Sequence, residues 1–520
     1  MNLYGKRPQA WLFLLFTILL VLGIFFRFVN LEQKIYWHDE VVTSFRIAGY
    51  YGQEFLQKNF NGSVVSVADL QQYQQLNPEK SLQDLIKSLA TEDPQHPPLY
   101  YIMVRFWVQL WGDSVAVTRS LSAIISLLVF PCLYWLCLEL FAAPWVGWVA
   151  IALGTISPFH ILYAQEAREY SLWTVTTLLA SAALLRAMRR QTLASWAIYT
   201  VSLLLGFYTF LFSVLVAIGH GIYLLVLEKF SWTKTVKAYL LASITAVILY
   251  LPWIVVVIAN LQILKMTTNW TNEQLPIGSL IIAWASNLSS MFIDLGLERY
   301  SLPSYLIYLT ILALVIYAVY VLCRQTPQRI WLLIVTLITV TPLALILPDL
   351  ISGGQRSASA RYFIPCYLGI QLAVAYLFAS KLRESQRKRI WHGIAAVVLT
   401  CGVISCAISA QAQVWWNKVV GAGNPQIAQV INQTSEPLII SNVDSTNPAN
   451  LISLSYLLDP QVKFQLVIDP NIPQIPAKFS NIFLFHPSEG LRVGIENQYN
   501  AKTEQVENLS LLQVKGIGNK

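Results

Sequence analysis

Apolar runs of roughly 20 residues recur along most of this chain, each closed by polar or basic residues, which is the pattern of membrane-crossing helices. The first is Trp11 to Phe26, and further runs fall near 117–141, 144–162, 170–186, 238–258, 303–322, 330–347, 362–380 and 391–410. The stretch Leu193 to Leu227 is long enough for two short spans that part near Gly206 to Phe210. The reading is an all-α polytopic membrane protein with about eleven transmembrane helices. Residues 1–410 form its transmembrane domain, interrupted by a large external loop at 30–116.

Within that loop, Val42, Phe45, Ala48, Tyr51 and Phe55 recur at helical spacing and predict an amphipathic helix lying on the membrane surface. Asn61 to Lys80 is rich in Gln and Asn without periodicity and reads as mobile. Ser81 and Asp84 form a capping box ahead of a short helix, Leu82 to Ala90. Leu99 to Trp111 is too short to cross and carries Arg105 and Gln109, so it reads as a second surface helix. A further surface helix is expected in the loop from Asn260 to Leu302. After Gln411 the composition turns soluble. Leu438 to Asn442, Val462 to Ile468 and Asn481 to Phe485 read as buried strands of a small α/β-like domain, 411–520, placed outside the membrane.

Composition agrees with the pattern: 56% of the 520 residues are hydrophobic and 12% charged, where a soluble protein carries about 25%. The net charge of +8 is spread over short basic clusters between spans, where it sets topology and is no footprint for nucleic acid. Lys6 and Arg7 put the N-terminus in the cytoplasm, and the clusters around Arg189, Lys234, Arg324 and Arg387 then fall on the same side. The first run lacks a small-x-small cleavage site and is read as a retained anchor. Six cysteines without a CxxC pair indicate neither a disulfide framework nor a zinc site.

Candidate chemistry gathers on the external side. Tyr36-Trp37-His38-Asp39-Glu40 follows the first span, and two adjacent carboxylates there suit a general base. Asp39 is equally suited to capping a helix that begins near Val41. His96 precedes a double proline that fixes its backbone, and could face a phosphate or a metal. Glu166 and Arg168 emerge beside Glu169 where the third span ends, and acids there also suit a helix N-terminus. Arg356, Arg361 and Tyr362 lie outside, against the positive-inside tendency, and arginine's fork fits phosphate. Arg119, at the outer start of the second span, is a weaker case of the same kind. A carboxylate base with a phosphate clamp is the minimum set for displacing a phosphate leaving group from a lipid-carried donor.

The ordered set of Trp37-His38-Asp39-Glu40, His96-Pro97-Pro98-Leu99, Arg119-Ser120-Leu121-Ser122-Ala123, Ser157-Pro158-Phe159-His160 through Gln165-Glu166-Ala167-Arg168, and Ala360-Arg361-Tyr362-Phe363-Ile364-Pro365 resembles the C-type integral-membrane glycosyltransferases. The nearest branches are the protein O-mannosyltransferases and the lipid A aminoarabinose transferases. The resemblance implies inverting transfer of a sugar from a polyprenyl-phosphate donor to a lipid, glycan or protein acceptor outside a bacterial inner membrane. It implies Asp39 as base, Arg361 on the departing phosphate, and Glu166, Arg168 and Arg119 lining the cavity. His96 stands where the aminoarabinose transferases have a lysine near the donor phosphate. No cofactor is required; a divalent metal at Asp39, Glu40 or His96 is permitted. The rival from another class is a transporter or lipid-sugar flippase, which would carry its charges near the midplane of repeated, broken helices. A non-catalytic assembly subunit is a third reading.

Overall fold

The computed structural model describes residues 10–384, 386–443 and 447–516; Lys6 and Arg7, which carry the topology argument at the N-terminus, lie outside them. The chain forms two compact units. One comprises the residues up to Leu31, Asp93–Tyr100 and Arg119–Gln411, and the other Glu32–Glu92, Tyr101–Thr118 and the residues from Ala412 onward.

The first unit holds most of the helices. Among the described residues, eight helices are long and apolar enough to cross a membrane: Trp11–Phe28, Val115–Phe141, Tyr170–Arg190, Lys234–Ala259, Leu302–Gln325, Gln328–Ser352, Ala360–Arg383 and Lys388–Gln411. A ninth span is the bent pair Pro144–Thr155 and Pro158–Ala164. The two short spans expected in Leu193 to Leu227 are the apolar helices Leu193–Phe207 and Ser213–Leu227. Every expected span therefore has its helix or helix pair, and the chain is an integral membrane protein. The loop from Asn260 to Leu302 holds a short apolar helix, Ile277–Ser289. Two spans are largely enclosed by the others: Tyr170–Arg190 and Ala360–Arg383, whose apolar windows are 83% and 100% buried.

The bent pair turns by 63° where Pro158 begins the second helix; a proline cannot donate to the preceding turn and ends it. The carbonyls released at the break are taken by Arg27. Its guanidinium, fully buried, donates to Thr155 O at 2.9 Å, Gly154 O at 3.0 Å, Gly23 O at 2.7 Å and Ser126 Oγ at 3.1 Å. The close approach depends on Gly23, where a Cβ would stand 2.4 Å from Thr155 O. Gln165 makes a second tie, donating to Phe26 O and Val29 O at 2.9 and 2.8 Å. The end of the first span is thereby fixed to the segment that leads into Glu166–Glu169.

The second unit is built on a six-stranded mixed sheet, ordered β1-β3-β2-β4-β6-β5. Its strands are β1 (Asn61–Ser66), β2 (Pro437–Asn442), β3 (Lys463–Val467), β4 (Asn481–Phe485), β5 (Lys502–Gln505) and β6 (Leu511–Lys515). β2 runs parallel to β3 and β4, whereas β1, β6 and β5 join antiparallel. The three strands expected from sequence match β2, β3 and β4 to within a residue at each end. Period-two alternation sends Ile439, Phe464, Leu466, Phe483 and Phe485 into one core and Leu438, Ile440, Val467, Ile482 and Leu484 into the other.

The polar loop departs from expectation in three respects. The segment expected to be mobile, Asn61 to Lys80, supplies β1 and a capped short helix, Val67–Gln71. The expected surface helix is two helices, His38–Ala48 and Gly52–Asn59, parted at Gly49 with φ of +86°. Their apolar residues do not await a membrane: Val41, Phe45, Ala48 and Phe55 lie in the first sheet core with Ile439, Leu451 and Phe464. Protein interior satisfied the pattern before lipid was needed, and periodicity does not distinguish the two. The capping box is present: Ser81 N donates to Asp84 Oδ2 at 2.7 Å and Asp84 N to Ser81 Oγ at 3.3 Å. Leu99–Trp111 is a 13-residue helix, too short to span.

Candidate active site

The membrane unit gathers its candidate residues where its two most enclosed helices begin. The Asp93–His96 turn is pinned from two sides: Trp253 Nε1 donates to Pro94 O at 3.2 Å, and Thr267 Oγ1 to Gln95 Oε1 at 3.0 Å. Leu99 N donates to Tyr208 O at 3.1 Å. This anchoring presents His96, whose Nδ1 lies 3.0 Å from Glu169 Oε1. Arg168 Nη2 is 3.2 Å from the His96 ring at Nε2, and Arg168 Nε is 3.5 Å from Glu169 Oε2. Ser122 Oγ donates to Arg168 O at 3.2 Å and holds the backbone of this turn.

Glu169 immediately precedes the Tyr170–Arg190 span. Burial alone would raise its pKa, but the Arg168 guanidinium and then His96 outweigh burial and hold the carboxyl down at about 2. The carboxylate is therefore ionised at any working pH and fixes both neighbours.

Tyr170 links this triad to the second helix start. Its ring centroid is 5.8 Å from the Arg168 guanidinium and 5.8 Å from that of Arg361. Arg361 also faces Trp270 at 5.9 Å and Tyr362 at 5.4 Å, and Tyr362 in turn packs on Phe210 and Phe212. A guanidinium held among aromatic faces is oriented without losing its charge or its planar fork. Arg361 is only partly buried.

The other expected residues of this unit have separate settings. Arg356 donates to Asp349 Oδ1 and Gly353 O, each at 3.0 Å, and to Asn272 Oδ1. Asp349 Oδ2 also accepts from Ser357 N and Oγ at 2.7 Å. Arg356 thus braces the loop that leads into Arg361 against residues 270–273. Arg119 is fully buried and donates to Leu31 O at 2.6 Å. Glu166 is fully buried, and its carbonyl accepts from Arg168 N at 2.8 Å.

The Asp39-Glu40 pair belongs to the second unit. The His38–Ala48 helix starts earlier than the capping argument required: Trp37 is its N-cap and Asp39 lies in the first turn. Asp39 is therefore no N-cap, and its side chain, 20% exposed, sits with Oδ1 3.3 Å from His38 Nδ1. Glu40 is 0% exposed and pairs with Lys418 Nζ at 3.1 Å. Among the described residues, no group of three or more His, Cys, Asp or Glu side chains could hold a metal ion.

Among the residues that sequence reasoning did not name as site members are Glu169, Tyr170 and Trp270 in these clusters and Arg27 at the helix break. Glu169 stood inside a recognised motif but read as a helix-end acid. Trp270 left no signal. Arg27, lone at the end of an apolar span, is the sort of intramembrane charge that calls for a partner.

Residues 95–256 match the family model described as dolichyl-phosphate-mannose-protein mannosyltransferase, a region that includes His96, Arg168 and Glu169. No curated protein matches the chain. Among solved structures, ArnT from Cupriavidus metallidurans bound to undecaprenyl phosphate superposes with a TM-score of 0.52 over 98% of both chains at 12% identity. The chain shares that structure's fold along nearly its whole length. The Archaeoglobus fulgidus oligosaccharyltransferase in its apo form is similar at a TM-score of 0.50 and 11% identity, covering 88% of this chain and 65% of that one. Within a shared fold, the polar clusters at the ends of the spans are where chain-specific chemistry is to be sought, because fold alone does not set function.

Proposed function

We propose that this protein is a membrane glycosyltransferase that moves a sugar from a polyprenyl-phosphate donor to an acceptor on the extracytoplasmic side. The observation that carries the reading is the joined cluster of His96, Arg168, Glu169, Tyr170 and Arg361 at the starts of the two innermost spans, in a chain whose fold matches a protein bound to undecaprenyl phosphate.

In this reading Arg361 presents its fork to the donor phosphate and stabilises the charge that develops as the sugar–phosphate bond breaks. Arg168 and His96 flank it, set in place by Glu169. Arg356 contributes by holding the loop that carries Arg361, and Tyr362 by orienting the guanidinium. Glu166 and Arg119 line the same membrane face. Asp39 accepts the proton of an acceptor hydroxyl or amine as that atom attacks the anomeric carbon. One bond forms as the other breaks, the configuration inverts, and polyprenyl phosphate leaves. The acceptor is a lipid, a glycan or a protein. The N-terminus is cytoplasmic, as in a bacterial inner-membrane protein, and the segment after Gln411 lies on the side of the reaction.

The test is release of polyprenyl phosphate by purified protein in liposomes, using a panel of polyprenyl-phosphate sugars with and without lipid acceptors. Release from at least one donor is expected. A folded protein that neither binds nor consumes any of them would move the assignment to the transporter class.

A further inference from the structure

Asp39 and Glu40 are adjacent in sequence, yet the fold gives them opposite fates. Glu40 and Lys418 are both 0% exposed and joined at 3.1 Å, whereas Asp39 keeps 20% of its side chain exposed. Lys418 also stands 4.9 Å from the centre of the Trp37 ring. The segment that carries Lys418 is tied to the motif by backbone as well: Ile35 N donates to Gln413 O at 2.9 Å, and Lys418 N to Trp415 O at 2.9 Å. The residues just after the last span are thus the frame on which Trp37-His38-Asp39-Glu40 is mounted.

Two carboxylates in one helical turn repel each other unless one is neutralised, and a buried carboxylate without a counter-charge either takes up a proton or moves. The helix N-terminus favours both acids but cannot satisfy a fully buried one alone. Lys418 removes the conflict by taking Glu40.

We propose that Lys418 is a positioning residue for Asp39: its buried pair with Glu40 locks the first turn of the His38–Ala48 helix so that Asp39 alone is presented. This rests on Asp39 being the base, but its geometry is testable apart from that. The probe is carbodiimide-driven labelling of carboxyl groups with glycine ethyl ester, on the full-length protein in lipid, read by tandem mass spectrometry.

In the wild type, Asp39 should label and Glu40 should resist; equal labelling of the two overturns the proposal whether or not any variant folds. In Lys418→Met, labelling of Asp39 and Glu40 should both change while exposed Glu489 stays constant. For whichever donor the wild type consumes, kcat should fall about 10²-fold with KM unchanged. Replacing both charges, Glu40→Leu with Lys418→Met, removes the buried carboxylate together with its cation and should recover most of the loss, which a lysine needed only for packing would not show. A folded Lys418→Met with wild-type labelling and kcat overturns the proposal. If the wild type neither binds nor consumes any donor, the glycosyltransferase reading fails and the labelling still decides the role of Lys418.

Discussion

Glu169 holds a charge that its burial alone would suppress, and what sustains it is the Arg168 guanidinium and the His96 ring at its side. Its pKa is lowered in the fold, from 4.5 to about 2. Its contribution to stability is therefore complete above the unfolded value and lost only as pH falls from there toward 2. Glu169→Gln should cost roughly 3 kcal/mol near neutrality. That gap in thermal unfolding should stay flat upward from about pH 6 and close as pH drops below the unfolded carboxyl range; a gap that widens in acid would contradict the assignment. Arg361 carries a different expectation. Arg361→Lys keeps the charge but not the fork, so donor turnover should fall about tenfold or more while the unfolding temperature holds. An equal loss of folding would place Arg361 among structural residues. The residues of this cluster were legible from sequence to unequal degrees. His96, Arg168 and Arg361 stood out by type and place, but the role of Glu169 depends on the Asp93–His96 turn returning to it, which no local pattern encodes.

At the scale of elements, the break between Pro144–Thr155 and Pro158–Ala164 sets where the catalytic candidates emerge. Proline explains why the helix ends, and Arg27 explains why the bend is stable in an apolar setting, since carbonyls released there have no water to satisfy them. Gly23→Ala would drive a methyl into Thr155 and part Arg27 from its acceptors; a loss of about 1–3 kcal/mol is expected, with reduced donor turnover. An unchanged unfolding temperature would show that the helices separate freely at this point. The sequence displayed these helices clearly because a long unbroken run of apolar residues has few alternatives. It misread the loop helices because an amphipathic face specifies an apolar partner without saying whether that partner is lipid or a sheet. Val41, Phe45 and Phe55 found Ile439 and Phe464, which lie far away in the chain.

The whole molecule comprises a bundle of spans and a unit assembled from the first polar loop and the C-terminal segment. β1 pairs with β3 across that separation, and Glu40 pairs with Lys418; such closures are invisible to any window along the sequence. The sidedness we propose is argued from the basic clusters between spans. Single cysteines introduced in the Gln95–His96 turn and in the β5–β6 hairpin should react with an impermeant thiol reagent from the extracytoplasmic side only. Labelling of either from the cytoplasm would reverse the topology and remove the site from the proposed face of the membrane.

The central claim is that Asp39 is the base of a sugar transfer, and it is tested by comparing wild type with Asp39→Asn in liposomes, following both binding and consumption of a polyprenyl-phosphate sugar. The variant should bind the donor as the wild type does and turn it over about 10²–10⁴-fold more slowly. Undiminished turnover by Asp39→Asn would mean that the base lies elsewhere.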